Sequence, residues 1–338
     1  MTANRFTTVA LVTLMLVAGL ALACLTLAIT LGGPAPITAL DSVNAPFKNL
    51  DYSALPPVQR FAARDGAQLA YRHYAAGAAG AARADGASAN AASRANRRVV
   101  LVHGSSASSR SMHPLAMALQ TAGIDVAAVD MRGHGDSGPR GQIAYIGQLE
   151  DDIADFSRNV PHTGPQTLIG FSAGAGFVLR FSASAQAAVF DRYVLLAPFL
   201  IQAPTNRPGS GGWASVGLPR IVALTVLNRF GVTRWNDLPV TQFALNAEAA
   251  KILTPSYSYA LATNFGAHLD YKGDIEKAPA ALKLLVGADD ELMVPERYAD
   301  VFSAAGKPIA ITQIPGANHI GLTLNPAAIQ VIVAATKT

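Results

Sequence analysis

One serine lies between two glycines where an apolar run ends and a second one begins. The five residues are Gly170-Phe171-Ser172-Ala173-Gly174, and the stretch just before them, QTLIGF, reads as a strand. A serine hydroxyl attacks a carbonyl only when it is presented beside a base, and a turn tight enough to present it requires small neighbours. The pattern G-x-S-x-G between a strand and a helix predicts a nucleophile elbow at Ser172. The N-terminal N–H groups of the following helix favour a developing oxyanion.

A base and an acid must accompany this hydroxyl, and both have candidates near the C-terminus. His319 lies in a Gly/Asn loop after the last apolar strand, where an imidazole can act as general base and then as general acid. An acid on the loop after the preceding strand would orient that imidazole. Asp289, Asp290 and Glu291 are consecutive in this loop, so the residue types alone leave the choice of acid open.

The hydrophobic pattern predicts the elements that position these residues. Two strands flank the turn at Arg64-Asp65-Gly66, and from Val99 onward short apolar strands alternate with helical stretches. One such helix carries apolar residues at spacings of three and four, with its acids off that face. The apolar residues are Ile143, Ile146, Leu149, Ile153, Phe156 and Val160, and the acids are Glu150, Asp151, Asp152 and Asp155. This alternation predicts an α/β fold, with a mostly parallel central sheet and helices on both faces.

The remaining segments divide the chain. Residues 34–57 are predicted to be a linker, and residues 58–338 to be the α/β domain. Residues 75–97 are rich in Ala, Gly, Ser and Asn and have no large apolar side chains to bury, which indicates a flexible insertion. Residues 200–277 break the strand and helix alternation and contain both tryptophans, so they are predicted to be a helical cap over the sheet.

Residues 1–33 are predicted to be a membrane segment. The stretch 9–31 carries no charge and is long enough to cross a hydrocarbon core of roughly 30 Å. Arg5 precedes it and the first charge after it is Asp41, so the positive-inside rule predicts a cytoplasmic N-terminus. The protein is then expected to be anchored in the membrane by this segment. The rest of the chain would lie on the extracytoplasmic side, which is periplasmic or extracellular. Secretion after cleavage of a signal peptide is the alternative.

The composition supplies a globular core and excludes several function classes. Hydrophobic residues make up 51% of the chain and charged residues 14%, which argues against global disorder. The net charge of +4 comes without a Lys/Arg run, so no nucleic-acid partner is predicted. The single cysteine, Cys24, cannot form an intrachain disulfide. No histidine pair has metal-ligand spacing and no phosphate-binding or dinucleotide-binding loop is found, so no metal and no cofactor are expected. His103 and His134 are expected to be structural.

Taken in order, the motifs resemble those of the α/β-hydrolase superfamily, nearest its lysophospholipase, monoacylglycerol-lipase and serine-aminopeptidase-like members. The resemblance covers roughly residues 58–337. Its motifs are LVHGSSASS at 101–109, VDMRGHGDSG at 129–138, GFSAG, LLVGADDELMVP and IPGANHIGLT. The superfamily uses the same chain order of nucleophile, acid and histidine.

The resemblance also implies site residues. It selects Asp290, three residues after the strand-ending Gly287, as the acid that accompanies Ser172 and His319. It further implies an oxyanion hole made by the backbone N–H groups of Ser105 and Ala173.

The activity implied by the resemblance is that of a serine hydrolase that cleaves carboxylic esters through an acyl-enzyme, with a small ester or lipid as substrate. A serine aminopeptidase or amidase is the first alternative, although residues 200–250 offer only Asp237 and Glu248 to hold a free amine. A non-catalytic binding protein of the same fold is the second, although each triad member has a candidate. Cap residues that would line an acyl pocket, or simply pack on the core, are Trp213, Val216, Leu218, Ile221, Leu224, Leu227 and Phe230.

Overall fold

An eight-stranded sheet forms the centre of the computed structural model, which describes residues 2–48, 50–76 and 96–337. In chain order the strands are β1 (Val58–Ala62), β2 (Gln68–Tyr74), β3 (Arg98–Val102), β4 (Asp125–Val129), β5 (Gln166–Phe171), β6 (Arg192–Leu196), β7 (Ala214–Val216), β8 (Pro239–Phe243), β9 (Ser256–Ser258), β10 (Leu282–Gly287) and β11 (Ile311–Ile314). The central sheet has the order β1-β2-β4-β3-β5-β6-β10-β11. Strand β2 is antiparallel to both β1 and β4, and all other neighbours are parallel. The predicted mostly parallel sheet is confirmed.

Helices cover both faces of this sheet, as predicted. Those of the described residues are α1 (Thr2–Leu31), α2 (Asp41–Asn44), α3 (His113–Thr121), α4 (Gln148–Asn159), α5 (Ala173–Ser182), α6 (Leu218–Arg229), α7 (Ala249–Ile252), α8 (Tyr259–Asn264), α9 (Tyr271–Lys277), α10 (Arg297–Ala304), α11 (Gly321–Leu324) and α12 (Pro326–Lys337). Helix α3 packs against α12, whereas α5 packs against β5, β6 and α9. Because helices flank it on both sides, β3 is buried along its whole length.

Helix α4 begins at Gln148, so Ile143 and Ile146 of the predicted apolar face precede it. Three of the four acids that lie off this face are nevertheless buried. A buried carboxylate is tolerated when a cation pairs with it. The pairs are Glu150 with Arg180, Asp152 with Arg132, and Asp155 with Arg64.

The segment 200–277 contains helices, as expected, and also a small sheet that the sequence did not predict. Strands β7, β8 and β9 form a three-stranded antiparallel sheet in this segment. Helix α6 lies within this segment, with Pro219 in its first turn. Strands of three to five residues carry too little alternation to be recognised from sequence alone.

The predicted linker 34–57 differs from a free tether, because parts of it pack on the domain. The guanidinium of Arg110 lies 4.6 Å from the centre of the Tyr52 ring, and the His113 ring lies 5.9 Å from it. Leu40 and Asn44 are hydrogen-bonded to the carbonyl oxygen of Ala244 in the cap. The predicted flexible insertion at 75–97 lies almost wholly outside the described residues.

Candidate active site

Ser172 occupies the turn between β5 and α5, where the sequence predicts the elbow. Its backbone has φ 54° and ψ −119°, a strained conformation for a residue with a side chain. The flanking glycines are required by close packing. A Cβ on Gly170 would lie 2.2 Å from the carbonyl oxygen of Gly174, and a Cβ on Gly174 would lie 2.1 Å from that of His103. A side chain at either position would force the neighbouring backbone to shift.

The structure brings Ser172, His319 and Asp290 into one hydrogen-bonded chain. The Ser172 Oγ lies 3.0 Å from His319 Nε2, and His319 Nδ1 lies 2.8 Å from Asp290 Oδ2. Since a carboxylate only accepts, the Nδ1–H donates to Asp290 and leaves Nε2 to accept the hydroxyl proton. His319 and Asp290 are each 1% exposed and Ser172 is 9% exposed. The three groups therefore have the connectivity of a nucleophile, a base and an orienting acid.

The loop after β10 gives its three acids different environments. Asp290 is buried, and its Oδ1 accepts the backbone N–H groups of Leu292 and Met293 at 2.9 and 2.7 Å. Burial raises the pKa of Asp290, but its hydrogen bond with His319 and these two N–H groups outweigh burial and hold that pKa below its usual value. Asp289 is exposed. The geometry thus favours Asp290 over Asp289.

Glu291 has a role that the sequence did not indicate. Its Oε2 accepts the backbone N–H of His319 at 2.8 Å. The loop of three acids therefore contacts both the ring and the backbone of the same histidine. A carboxylate 28 residues away in sequence gives no local pattern from which this contact could be predicted.

The backbone N–H groups of Ser105 and Ala173 are available to bind an oxyanion. Within the described part of the chain, neither group donates to a protein acceptor. Both residues line the same cavity as Ser172. Ala173 begins α5, so its N–H points from the positive end of that helix.

A cavity of about 390 Å³ opens above Ser172 between the core and the cap, and its lining is mainly apolar. Trp213 and Val216 line it, and the Trp213 ring meets His319 edge-on with centroids 5.9 Å apart. The other cap candidates for an acyl pocket lie elsewhere. Leu218 and Phe230 are exposed, whereas the remaining three pack in a separate cluster inside the cap: Ile221, Leu224 and Leu227.

Tyr257, from cap strand β9, connects the cap to the loop that carries Ser105. Its hydroxyl oxygen accepts the backbone N–H of Ser106 at 2.5 Å and lies 2.6 Å from His134 Nε2. His134 Nδ1 lies 3.2 Å from the carbonyl oxygen of Arg132 and donates to it, so Nε2 accepts the tyrosine proton. Ser106 has φ 64°. No local pattern in the sequence indicates this bridge, because Ser106 and Tyr257 are 151 positions apart.

His103 and His134 form a buried pair of neutral rings beneath this loop, with centroids 4.7 Å apart. His103 Nδ1 lies 2.8 Å from the carbonyl oxygen of Gly104, and its Nε2 accepts the N–H of Met131. Burial lowers the pKa of both histidines, and the neighbouring ring lowers that of His134 further. Among the described residues, no group of three or more His, Cys, Asp or Glu is arranged to hold a metal ion.

Replacing Tyr257 with phenylalanine is expected to impair turnover more than substrate binding. The change leaves the buried N–H of Ser106 without an acceptor, which costs about 1–3 kcal/mol, and it frees the loop that presents Ser105. We expect kcat to fall about tenfold, less than the loss from deleting an oxyanion donor outright. Steady-state kinetics on a soluble ester measures this effect. Tyr259→Phe is the matched control, because the Tyr259 hydroxyl contacts Thr225 away from the cavity; equal losses in the two variants would contradict the assignment.

The buried histidine pair makes the folded state sensitive to acid. Because their pKa values are lowered on folding, the two histidines bind protons below about pH 6.5 in the unfolded chain but remain neutral in the folded one. Stability is therefore complete above pH 6.5 and is lost as pH falls toward the folded-state pKa values. At pH 5.5 the pair is expected to lower the free energy of unfolding by at most about 3 kcal/mol. Thermal unfolding at pH 7.5 and 5.5 measures the drop, and His134→Gln should reduce it by about half; an unchanged drop in this variant would refute the explanation.

The sheet, the elbow and the hydrogen-bonded Ser172, His319 and Asp290 define a hydrolase of the α/β-hydrolase fold. The chain belongs to the family described as serine aminopeptidase, S33, whose model matches residues 93–323. That match includes the two loops that carry Ser105 and His134 as well as the elbow.

Individual proteins that are similar to this chain include lipases. A monoacylglycerol lipase of Mycolicibacterium smegmatis is 34% identical over 91 residues, which cover 25% of this chain and 32% of the lipase. The match thus spans about a third of that relative. A soluble variant of the monoglyceride lipase of Saccharomyces cerevisiae, solved with a substrate analogue, superposes with a TM-score of 0.61 at 18% identity, covering 86% of this chain and 97% of the lipase. The monoacylglycerol lipase of Paleococcus ferrophilus gives a TM-score of 0.51 at 22% identity, covering 70% of this chain and 94% of the lipase. At these low identities, the two solved structures show a similarity of fold.

Proposed function

We propose that the protein is a serine hydrolase that cleaves carboxylic esters of the monoacylglycerol or lysophospholipid class through an acyl-enzyme. The observation that carries this proposal is the hydrogen-bonded chain from Ser172 through His319 to Asp290, which opens into an apolar cavity beside the backbone N–H groups of Ser105 and Ala173. A nucleophile, a base, an oriented acid and an oxyanion site are the parts that acyl transfer requires.

The reaction begins when the Ser172 Oγ attacks the ester carbonyl while its proton passes to His319 Nε2. The negative charge on the tetrahedral intermediate is held by the N–H groups of Ser105 and Ala173. Asp290 stabilises the imidazolium, which then gives its proton to the departing alcohol and leaves an acyl-serine. Water attacks the acyl-serine, His319 takes one proton from it, and collapse of the second intermediate returns that proton to Ser172 and releases the acid.

The lining of the cavity supports an ester of an apolar acid over a peptide with a free amine. Aromatic and aliphatic side chains predominate, including Phe171, Phe199, Trp213 and Phe243. Among the described residues that line the cavity, none is Asp or Glu. An aminopeptidase needs such a carboxylate to hold the amine, because burying an unpaired ammonium group is costly. Arg207 is instead among the lining residues.

We further propose that the protein is anchored in a membrane with its hydrolase domain on the extracytoplasmic side. The span Ala10–Leu31 has 22 residues with a mean hydropathy of 2.5, and none of it is buried. Helix α1 packs along α6 of the cap, and Arg220 donates to the carbonyl oxygens of Ile29 and Thr30 at its C-terminal end.

Helix α6 presents an exposed apolar stripe beside this anchor. The stripe consists of Leu218, Val222, Val226 and Phe230, each four residues after the last, and Phe230 is 80% exposed. An apolar stripe on the element that contacts α1 supports a cap lying against the lipid surface. Carbonate extraction of membranes tests the anchor, and protease accessibility from the outside tests the orientation. Release of the full-length chain by carbonate would contradict the proposal, and so would protection from external protease.

The proposed chemistry is tested by hydrolysis of p-nitrophenyl esters from acetate to palmitate and of monoacylglycerols, using the full-length protein in detergent. Aminoacyl p-nitroanilides are measured in parallel. Ester hydrolysis that is lost in Ser172→Ala, together with little release of p-nitroaniline, is the expected result. Preferential cleavage of the anilides would favour the aminopeptidase alternative, and activity that survives Ser172→Ala would overturn the mechanism.

A further inference from the structure

Residues 40–47, here called the strap, are hydrogen-bonded to the cap through one buried side chain. Asn44 is 6% exposed. Its Nδ2 donates to the carbonyl oxygens of Leu40 and Ala244 at 2.6 and 2.9 Å, and its Oδ1 accepts the N–H of Asn246 at 3.1 Å. The backbone N–H of Leu40 adds a bond of 3.1 Å to the same carbonyl of Ala244. A segment that reads as a linker is thus joined to the domain by several specific hydrogen bonds.

The strap is hydrogen-bonded to residues that directly follow a strand lining the cavity. Ala244 directly follows β8, and its N–H donates to the carbonyl oxygen of Trp213 at 2.9 Å. Trp213 precedes β7 and packs edge-on against His319. Phe243, the last residue of β8, is paired with Ala214 of β7, and both line the cavity. The strap therefore lies against the strands that form one side of the cavity.

The strap also contributes to the cavity directly. Phe47 is half-buried and lines the same space as Ser172, three residues after Asn44. It precedes the first strand of the central sheet, so this part of the lining comes from the segment that leads from α1.

We propose that Phe47 is a specificity-determining residue that contacts the acyl chain of the substrate, and that Asn44 positions it by holding the strap on the cap. This inference rests on the proposed function, because it assigns a substrate contact within that cavity. An aromatic ring half-buried in an apolar wall gains contact with a chain long enough to reach it and gains none with an acetyl group. Removing such a contact changes the discrimination between substrates on the order of tenfold.

The experiment separates binding from turnover. Trp235 is replaced with phenylalanine in a full-length Ser172→Ala background, which leaves Trp213 as the single tryptophan, in the cavity wall. Titration with 1-monodecanoylglycerol is then followed by Trp213 fluorescence, with and without Phe47→Ala. Lys48→Ala is the control in the same segment, since Lys48 is exposed. We expect Phe47→Ala to weaken binding about tenfold and Lys48→Ala to leave it unchanged.

Asn44→Ala provides a second variant that keeps the ring. It should weaken binding in the same direction, and Asn44→Asp should do so less because its Oδ1 still accepts from Asn246. In the hydrolytic background, kcat/KM for p-nitrophenyl decanoate should fall about tenfold in Phe47→Ala while that for the acetate is unchanged. Equal affinities in the Phe47 and Lys48 variants would overturn the inference, and so would the absence of binding to the parent. Binding that follows this pattern without ester hydrolysis by the wild type would refute the proposed function and leave the strap assignment standing.

Discussion

Ser172→Ala is expected to lower kcat for ester hydrolysis on the order of 10⁶-fold, which corresponds to about 8 kcal/mol of transition-state stabilisation. The loss is this large because the covalent route disappears: the Ser172 hydroxyl, 3.0 Å from His319 Nε2, is the protein group that forms the acyl-enzyme in the proposed mechanism. The oxyanion N–H groups remain, so a residual rate above that of free water is expected. Steady-state hydrolysis of a p-nitrophenyl ester measures the change.

The matched control is Ser182→Ala on the same helix. Ser182 is 2% exposed, and its hydroxyl donates to the carbonyl oxygen of Leu179 at 2.7 Å. It does not line the cavity, so this variant should retain wild-type kcat at a small cost in stability. Comparable losses in both variants would indicate that removing a buried serine hydroxyl from α5 disturbs the fold, and the nucleophile would have to be sought elsewhere.

Asp290→Asn is expected to lower kcat about 10⁴-fold with KM little changed. The asparagine amide can donate to Nδ1 and so stabilise the wrong tautomer, in which Nε2 carries the proton and cannot accept that of Ser172. The wild-type carboxylate is expected to stay ionised at neutral pH, because the hydrogen bonds to it hold its pKa below the usual value. The backbone bonds from Leu292 and Met293 can still be accepted by the asparagine oxygen, so the loop should keep its conformation.

Asp289→Asn tests the alternative that the sequence leaves open. The Asp289 side chain is exposed, and the ring of His319 contacts its neighbour instead. We expect the kcat of Asp289→Asn to remain within about twofold of the wild type, in line with other surface changes. If Asp289→Asn were the damaging variant, the loop would adopt a different register in solution and the acid would have to be reassigned.

The parts of the fold that sequence predicts well are those encoded locally. The inner parallel strands β3 and β5 are mostly apolar and buried, and the elbow needs its glycines within five residues of each other. The choice between Asp289 and Asp290 depends on one residue of register in a loop, and only the hydrogen bond to His319 distinguishes them. The local sequence pattern is therefore enough to locate the loop that carries the acid, whereas the tertiary structure is needed to identify which residue of the loop it is.

What the sequence did not predict depends on partners far along the chain. Glu150 is buried because Arg180 pairs with it, although its position in the helix pattern is that of a polar face. The three-residue strands of the cap are stabilised by pairing with β8, not by their own alternation. Asn44 lies in a stretch whose composition is typical of a linker, and its partners near Ala244 are about 200 residues away.

Covalent trapping of the nucleophile tests most directly whether Ser172 attacks the substrate. Full-length protein is treated with a decyl fluorophosphonate, which traps an activated serine as a stable phosphonyl ester, and the adduct is mapped by peptide mass spectrometry. The proposed mechanism requires one adduct per chain, on Ser172, with labelling slowed strongly by His319→Ala and matched by loss of esterase activity. An adduct on another residue, or esterase activity that persists when Ser172 is fully labelled, would contradict it.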